Sequence, residues 1–60
     1  MEAKFDNAQI KVWFNSQGTS RNFYNVVSIL QKGNSALITT SGGDQHILNF
    51  NNINMIEEIE

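Results

Sequence analysis

Polar and apolar residues that alternate singly, Gly-bearing turns at short intervals and a run of β-branched side chains point to an all-β chain. The expected architecture is a small antiparallel meander of about four to six short strands, curled instead of flat. The clearest strand is Ala8 to Asn15, A-Q-I-K-V-W-F-N, where Ile10, Val12 and Phe14 alternate against Gln9, Lys11 and Trp13. That period of two places the first set on a core face and the second outside. Ser16-Gln17-Gly18-Thr19 reads as a turn, and Arg21-Asn22-Phe23-Tyr24 as the returning arm of a hairpin. Val26 to Gln31 is rich in β-branched residues and stops at Lys32-Gly33-Asn34-Ser35, a second turn. Ala36-Leu37-Ile38-Thr39-Thr40 is a third strong strand, Ser41-Gly42-Gly43-Asp44 turns the chain again, and Gln45 to Phe50 alternates His46, Leu48 and Phe50 against Ile47 and Asn49.

The tail admits two readings. Phe50, Ile53, Ile56 and Ile59 recur every third residue, a spacing that a short helix capped by Asn51 or Asn52 would use. A strand is preferred, because Asn is a poor helix former and Glu57, Glu58 and Glu60 would crowd negative charge at a helix C-terminus.

Residues 22 to 29, N-F-Y-N-V-V-S-I, and 49 to 56, N-F-N-N-I-N-M-I, share four identities at an offset of 27. Each copy steps from Phe to Val or Ile by an odd number of residues, where strand alternation demands an even one. A bulge or a single helical turn centred on Asn25 or Asn52 absorbs the extra residue, and Asn suits it because it tolerates left-handed φ. Ile10 precedes Phe23 by thirteen residues, as Leu37 precedes Phe50. The pattern fits two hairpin-plus-bend units, about residues 10–30 and 37–57, within one domain spanning 1–60; duplication and convergence on one bend solution both account for it.

Sixty residues make one small domain, which buries only about 60% of its unfolded surface. With no Cys there is no disulfide and no Cys-containing zinc site, so a partner subunit is the remaining means of reinforcement. Met1-Glu2-Ala3-Lys4 leads into no apolar run, and the expectation is a cytoplasmic protein without a membrane segment. Four dispersed cations and a net charge of -2 disfavour nucleic-acid binding by a monomer, although an oligomer could gather Lys11 and Arg21.

F-N-N-I followed by N-M-I-E-E-I resembles the last strand–turn–strand of SH3-like small barrels, the Sm-like and Tudor groups included. This resemblance covers residues 45–59 best and implies an SH3-like half-barrel. The sequence carries neither a Tudor-type aromatic cage nor an Sm-like Asp/Asn/Gly constellation, so no ligand site transfers to it. The chain is also similar to short β-meander proteins of phages and prophages of Gram-positive bacteria. That similarity implies an inhibitor of a host protein, such as a defence factor, working in the host cytoplasm.

Catalytic and metal chemistry find little support. Asp44 and His46 would share a strand face, but a metal site needs three or four ligands and a base needs partners that are missing here. Asp44-Gln45-His46 reads more simply as a turn leading into a strand. Ser41-Gly42-Gly43 could offer amides to an anion but lacks the phosphate-loop pattern and reads as a hairpin connection. Glu57-Glu58-Ile59-Glu60 reads as a solvated tail, or as an acidic lure for a basic partner. No catalytic residue, metal or cofactor is expected.

Trp13 carries more information. Large aromatics left on an outer face are enriched at interfaces, and Tyr24 and Ile47 fall on the same side of the pattern. The competing reading has the curled sheet bury Trp13 as a plug at one end. The expected function is a non-catalytic protein-binding module acting as a homo-oligomer, with a dimer favoured and an interface drawn from Lys11, Trp13, Tyr24, Ile47, Ile53 and Met55. The strand edges expected to pair are Ala8–Asn15 and Asn54–Ile59. Two alternatives stand beside it: a single-stranded nucleic-acid binder presenting Lys11, Arg21, Trp13 and Tyr24, and capture of a small anionic ligand at an oligomer seam.

Overall fold

The computed structural model describes residues 1–16 and 18–59; Gln17 of the expected first turn and Glu60 of the acidic tail lie outside them. Five antiparallel strands form one open sheet: β1 (Glu2–Phe14), β2 (Ser20–Lys32), β3 (Ser35–Thr40), β4 (Gln45–Asn49) and β5 (Ile53–Ile59), in spatial order β4-β3-β2-β1-β5. The all-β meander is therefore the observed fold, and the tail is a strand entered through a 3₁₀ turn at Phe50–Asn52.

Both bend solutions anticipated for the doubled motif occur, one in each copy. In the first, Asn25 takes φ +57° inside β2, and the register slips between the pairs Ala8↔Val26 and Ile10↔Phe23. A second slip at Val27 separates Val26↔Thr40 from Ser28↔Thr39. Two irregularities let Phe23, Val26 and Ile29, each three residues apart, all point into the core. In the second copy the Asn49 side chain accepts the Asn51 amide at 2.9 Å and caps the 3₁₀ turn. Ile10 pairs with Phe23, whereas Leu37 pairs with Ile47, so the thirteen-residue spacing does not mark equivalent pairs.

Residues 2 to 7, which precede the strand expected from Ala8, also belong to β1. The strand is interrupted at Asn7, which also takes positive φ (+53°), and three residues of β1 face one of β2 between Lys4↔Ser28 and Ala8↔Val26. Asn7 and Asn25 thus flank the pair Ala8↔Val26 and bend neighbouring strands at the same place. The triplet spacing of the tail has a similar origin. Asn54 bulges between Phe14↔Ile53 and Trp13↔Met55, which sends Ile53 and Ile56 inward and places Ile59 opposite Gln9 on the outer face.

The strand order obliges the sheet to curl. Laid flat, β4 and β5 would stand four spacings apart, about 19 Å. The four Cα steps from Asn49 to Ile53 reach at most about 14 Å when extended and about 8 Å as a 3₁₀ turn. Backbone bonds fix the crossing at both ends: Phe50 N donates to Asn34 O at 2.8 Å and Asn15 N to Asn52 O at 2.9 Å. The Asn15 side-chain amide adds a bond to Asn51 O at 2.7 Å. Gly33, the first residue of the two-residue β2–β3 turn, has φ +59°, so its lack of a Cβ is what makes so tight a turn accessible.

Inside the curl lie Ile10, Val12, Phe23, Val26, Ile29, Ala36 and Ile38, with Phe5, Phe14, Leu48, Phe50, Ile53 and Ile56 packed against them. No buried side-chain nitrogen or oxygen among the described residues lacks a partner. The accessible surface, 4111 Å², matches the roughly 4,000 Å² expected of a compact monomer of this mass. One expectation is corrected here. Ala8–Asn15 is not an edge, because β1 is flanked by β2 on one side and β5 on the other along that stretch; β4 and β5 are the edge strands. No helix among the described residues is long and apolar enough to cross a membrane.

Candidate interaction surface

The outer side of β1 and β5 carries the most organised exposed cluster. Directly opposed residues of antiparallel strands share a face, so the pairs Lys11↔Glu57 and Trp13↔Met55 stack four side chains on the convex surface. The Lys11 ammonium sits 4.4 Å from the Trp13 ring centroid. Trp13 Nε1–H donates to Glu57 Oε1 at 3.2 Å. The indole therefore has its polar edge satisfied and one face covered by a cation, while Met55, 47% exposed, continues the apolar surface beside it. Trp13 is half-buried by these neighbours on the outer face and does not plug an end of the sheet.

Glu57 was legible only as part of an acidic tail; its role depends on a contact across 44 residues that local spacing cannot reveal. Replacing Glu57 by alanine should release the indole and reduce stability by no more than about 1 kcal/mol, with Glu57→Gln recovering most of the loss because an acceptor remains. Urea denaturation followed by Trp13 emission reads both changes; an emission maximum unmoved by Glu57→Ala would contradict the contact.

The other expected interface residues are dispersed. Tyr24, 60% exposed, stands at the bend of β2. Ile47, 74% exposed, lies on the opposite edge strand, β4, where it shares a shallow apolar depression with Leu30 and Leu37. Ile53 packs against the core. The structure thus unites Lys11, Trp13 and Met55, and separates Tyr24, Ile47 and Ile53 from them. Lys11 pairs with Asn22 on the outer face while Arg21 pairs with Val12 on the inner one, so the two cations do not form one basic stripe within a single chain.

A second grouping forms around Phe23 on the inner side. The Arg21 guanidinium lies 4.9 Å from the Phe23 ring centroid, and the His46 ring lies 5.0 Å from it at a 55° tilt. Arg21 and Phe23 are two apart on β2, so alternation could have placed them together; His46 arrives from β4 through the sheet order. Among the described residues, no three His, Cys, Asp or Glu side chains converge as metal ligands.

No family model, curated protein or solved structure matches this chain, so what these surfaces do has to be read from their own side chains.

Proposed function

We propose that the protein is a non-catalytic protein-binding module that acts as a homo-oligomer, a dimer in its simplest form. The supporting observation is the Lys11–Trp13–Met55–Glu57 cluster on the outer face of β1 and β5. Its side chains are held by one another before any partner arrives, which lowers the entropy lost on docking. The β5 edge beside Met55 is open, and a two-fold axis there would join the two patches.

Light scattering tests the oligomer. A mass near twice 6.8 kDa at micromolar concentration is expected for the native chain, and a mass near 6.8 kDa for Trp13→Ala. A native monomer would end the oligomer reading and leave the patch to a different partner. The phage-protein resemblance supplies a concrete form of the proposal, an inhibitor that occupies a host protein in the host cytoplasm. Affinity capture from bacterial lysate with native and Trp13→Ala baits tests that form. One partner retained by the first bait and lost by the second supports it; identical recovery on both counts against it.

A further inference from the structure

A cleft of about 430 Å³ opens between the bend of β2 and the turn joining β3 to β4, on the side of the sheet away from the Trp13 cluster. Its volume lies within the range of small-molecule sites. The bulge at Asn25 creates it: with φ +57° the strand swings away, and Asn25 O accepts the Ser41 amide at 2.9 Å, fixing the turn against the bend. The Phe23 ring forms the floor, held between Arg21 and His46. Thr40, Ser41, Asp44 and the exposed Tyr24 complete its lining.

Arg21 makes no ion pair among the described residues, even though Asp44 lines the same cleft. Its guanidinium is steered only by the ring beneath it, and its N–H fork is available for a bidentate contact with an oxyanion. A bare anion would leave Tyr24 unused and would meet Asp44 unfavourably. A ligand that joins a phosphate to a planar ring and to donor groups satisfies all three: phosphate on Arg21, ring on Tyr24, hydroxyl or amine on Asp44. Lys4, Lys11 and Lys32 do not line the cleft, so a polyanionic strand gains no cationic track beyond this single contact.

We infer that this cleft is a binding site for a small free nucleotide, with Arg21 as phosphate anchor and Tyr24 as stacking platform. The test is a titration of the ¹⁵N-labelled chain, followed by NMR, with the four nucleoside 5′-monophosphates, the matching nucleosides, inorganic phosphate and a single-stranded oligonucleotide. At least one monophosphate should saturate with shifts centred on residues 21–25 and 40–46. The corresponding nucleoside and inorganic phosphate should each bind about tenfold more weakly or worse. Arg21→Gln should weaken the monophosphate about tenfold, and Lys32→Gln, at the other end of β2 and outside the cleft, should leave it unchanged. Both side chains are solvent-facing enough for the variants to remain folded, which their amide spectra would verify directly. The inference is overturned by the absence of saturable shifts up to about 10 mM ligand, where even a site of about 1 mM dissociation constant would be about 90% occupied. It is equally overturned by an Arg21→Gln affinity equal to that of the native chain, or by an oligonucleotide that binds more tightly per site than every monophosphate.

Discussion

Replacing Ile38 by alanine should remove most of the stability this chain possesses. Ile38 is fully buried in the middle of β3, between Ile29 of β2 and His46 of β4, and touches the one apolar cluster there is to disrupt among the described residues. Truncation of a buried Ile to Ala costs about 2–5 kcal/mol, transfer and cavity terms together. A domain of this length has roughly 3–9 kcal/mol in all. At a urea slope of about 1 kcal/mol/M the midpoint should fall by about 2 M or more, and a fraction of the variant should be unfolded before any urea is added. Ile47→Ala is the matched control. Its side chain is 74% exposed, so at low protein concentration its stability should stay within about 0.5 kcal/mol of the native one. Similar losses in the two variants would mean that the curled face is not where the core lies.

Because folding and association are linked, the same experiment at rising protein concentration bears on the proposed oligomer. A partner that binds only the folded chain raises the midpoint by mass action, and the shift should be seen in Ile38→Ala as in the native protein. Trp13→Ala should lose it. The accessible surface is already that of a compact monomer, so association would add to a fold that is complete, and the concentration dependence should be modest.

The strands could be read from the sequence because each shows its alternation locally, and the tail because three Glu residues and clustered Asn oppose a helix. The bends could be read because an odd step from Phe23 to Val26 has few solutions on a strand. The first half of β1 was missed although Ala3, Phe5 and Ala8 carry its pattern, since Asp6 and Asn7 break the period where the chain enters a positive-φ bulge. Of the two expected edges, Asn54–Ile59 does lie in an edge strand, β5, whereas the interior place of Ala8–Asn15 was not legible. It depends on β5 pairing with β1, a choice made by the length of the 3₁₀ turn and by the bonds from Asn15 to Asn51 and Asn52. For the same reason Trp13 could be placed on the outer face, but neither Glu57 beneath its N–H nor His46 beside Phe23 could be assigned.

The two copies of the N-F-x-N motif should respond differently to one substitution. Asn25 holds φ +57°, a region where a residue with a Cβ other than Asn or Asp is disfavoured by about 1–2 kcal/mol. Asn52 closes a 3₁₀ turn with ordinary negative φ, its carbonyl accepting the Asn15 amide, a bond that any side chain at 52 preserves. Asn25→Ala should therefore destabilise by about 1 kcal/mol and Asn25→Val by more, while Asn25→Gly should equal or exceed the native stability. Asn52→Ala should stay within about 0.5 kcal/mol. Denaturant midpoints for the four variants measure the contrast. The bend at Asn25 also shapes the cleft lined by Arg21, Tyr24 and Ser41, so Asn25→Gly, which keeps the φ, should keep nucleotide binding, and Asn25→Val should weaken it together with stability. Equal losses for Asn25→Ala and Asn52→Ala would show that the motif does one job in both places, and that the left-handed turn in β2 is not what lets Phe23 and Val26 face the same core.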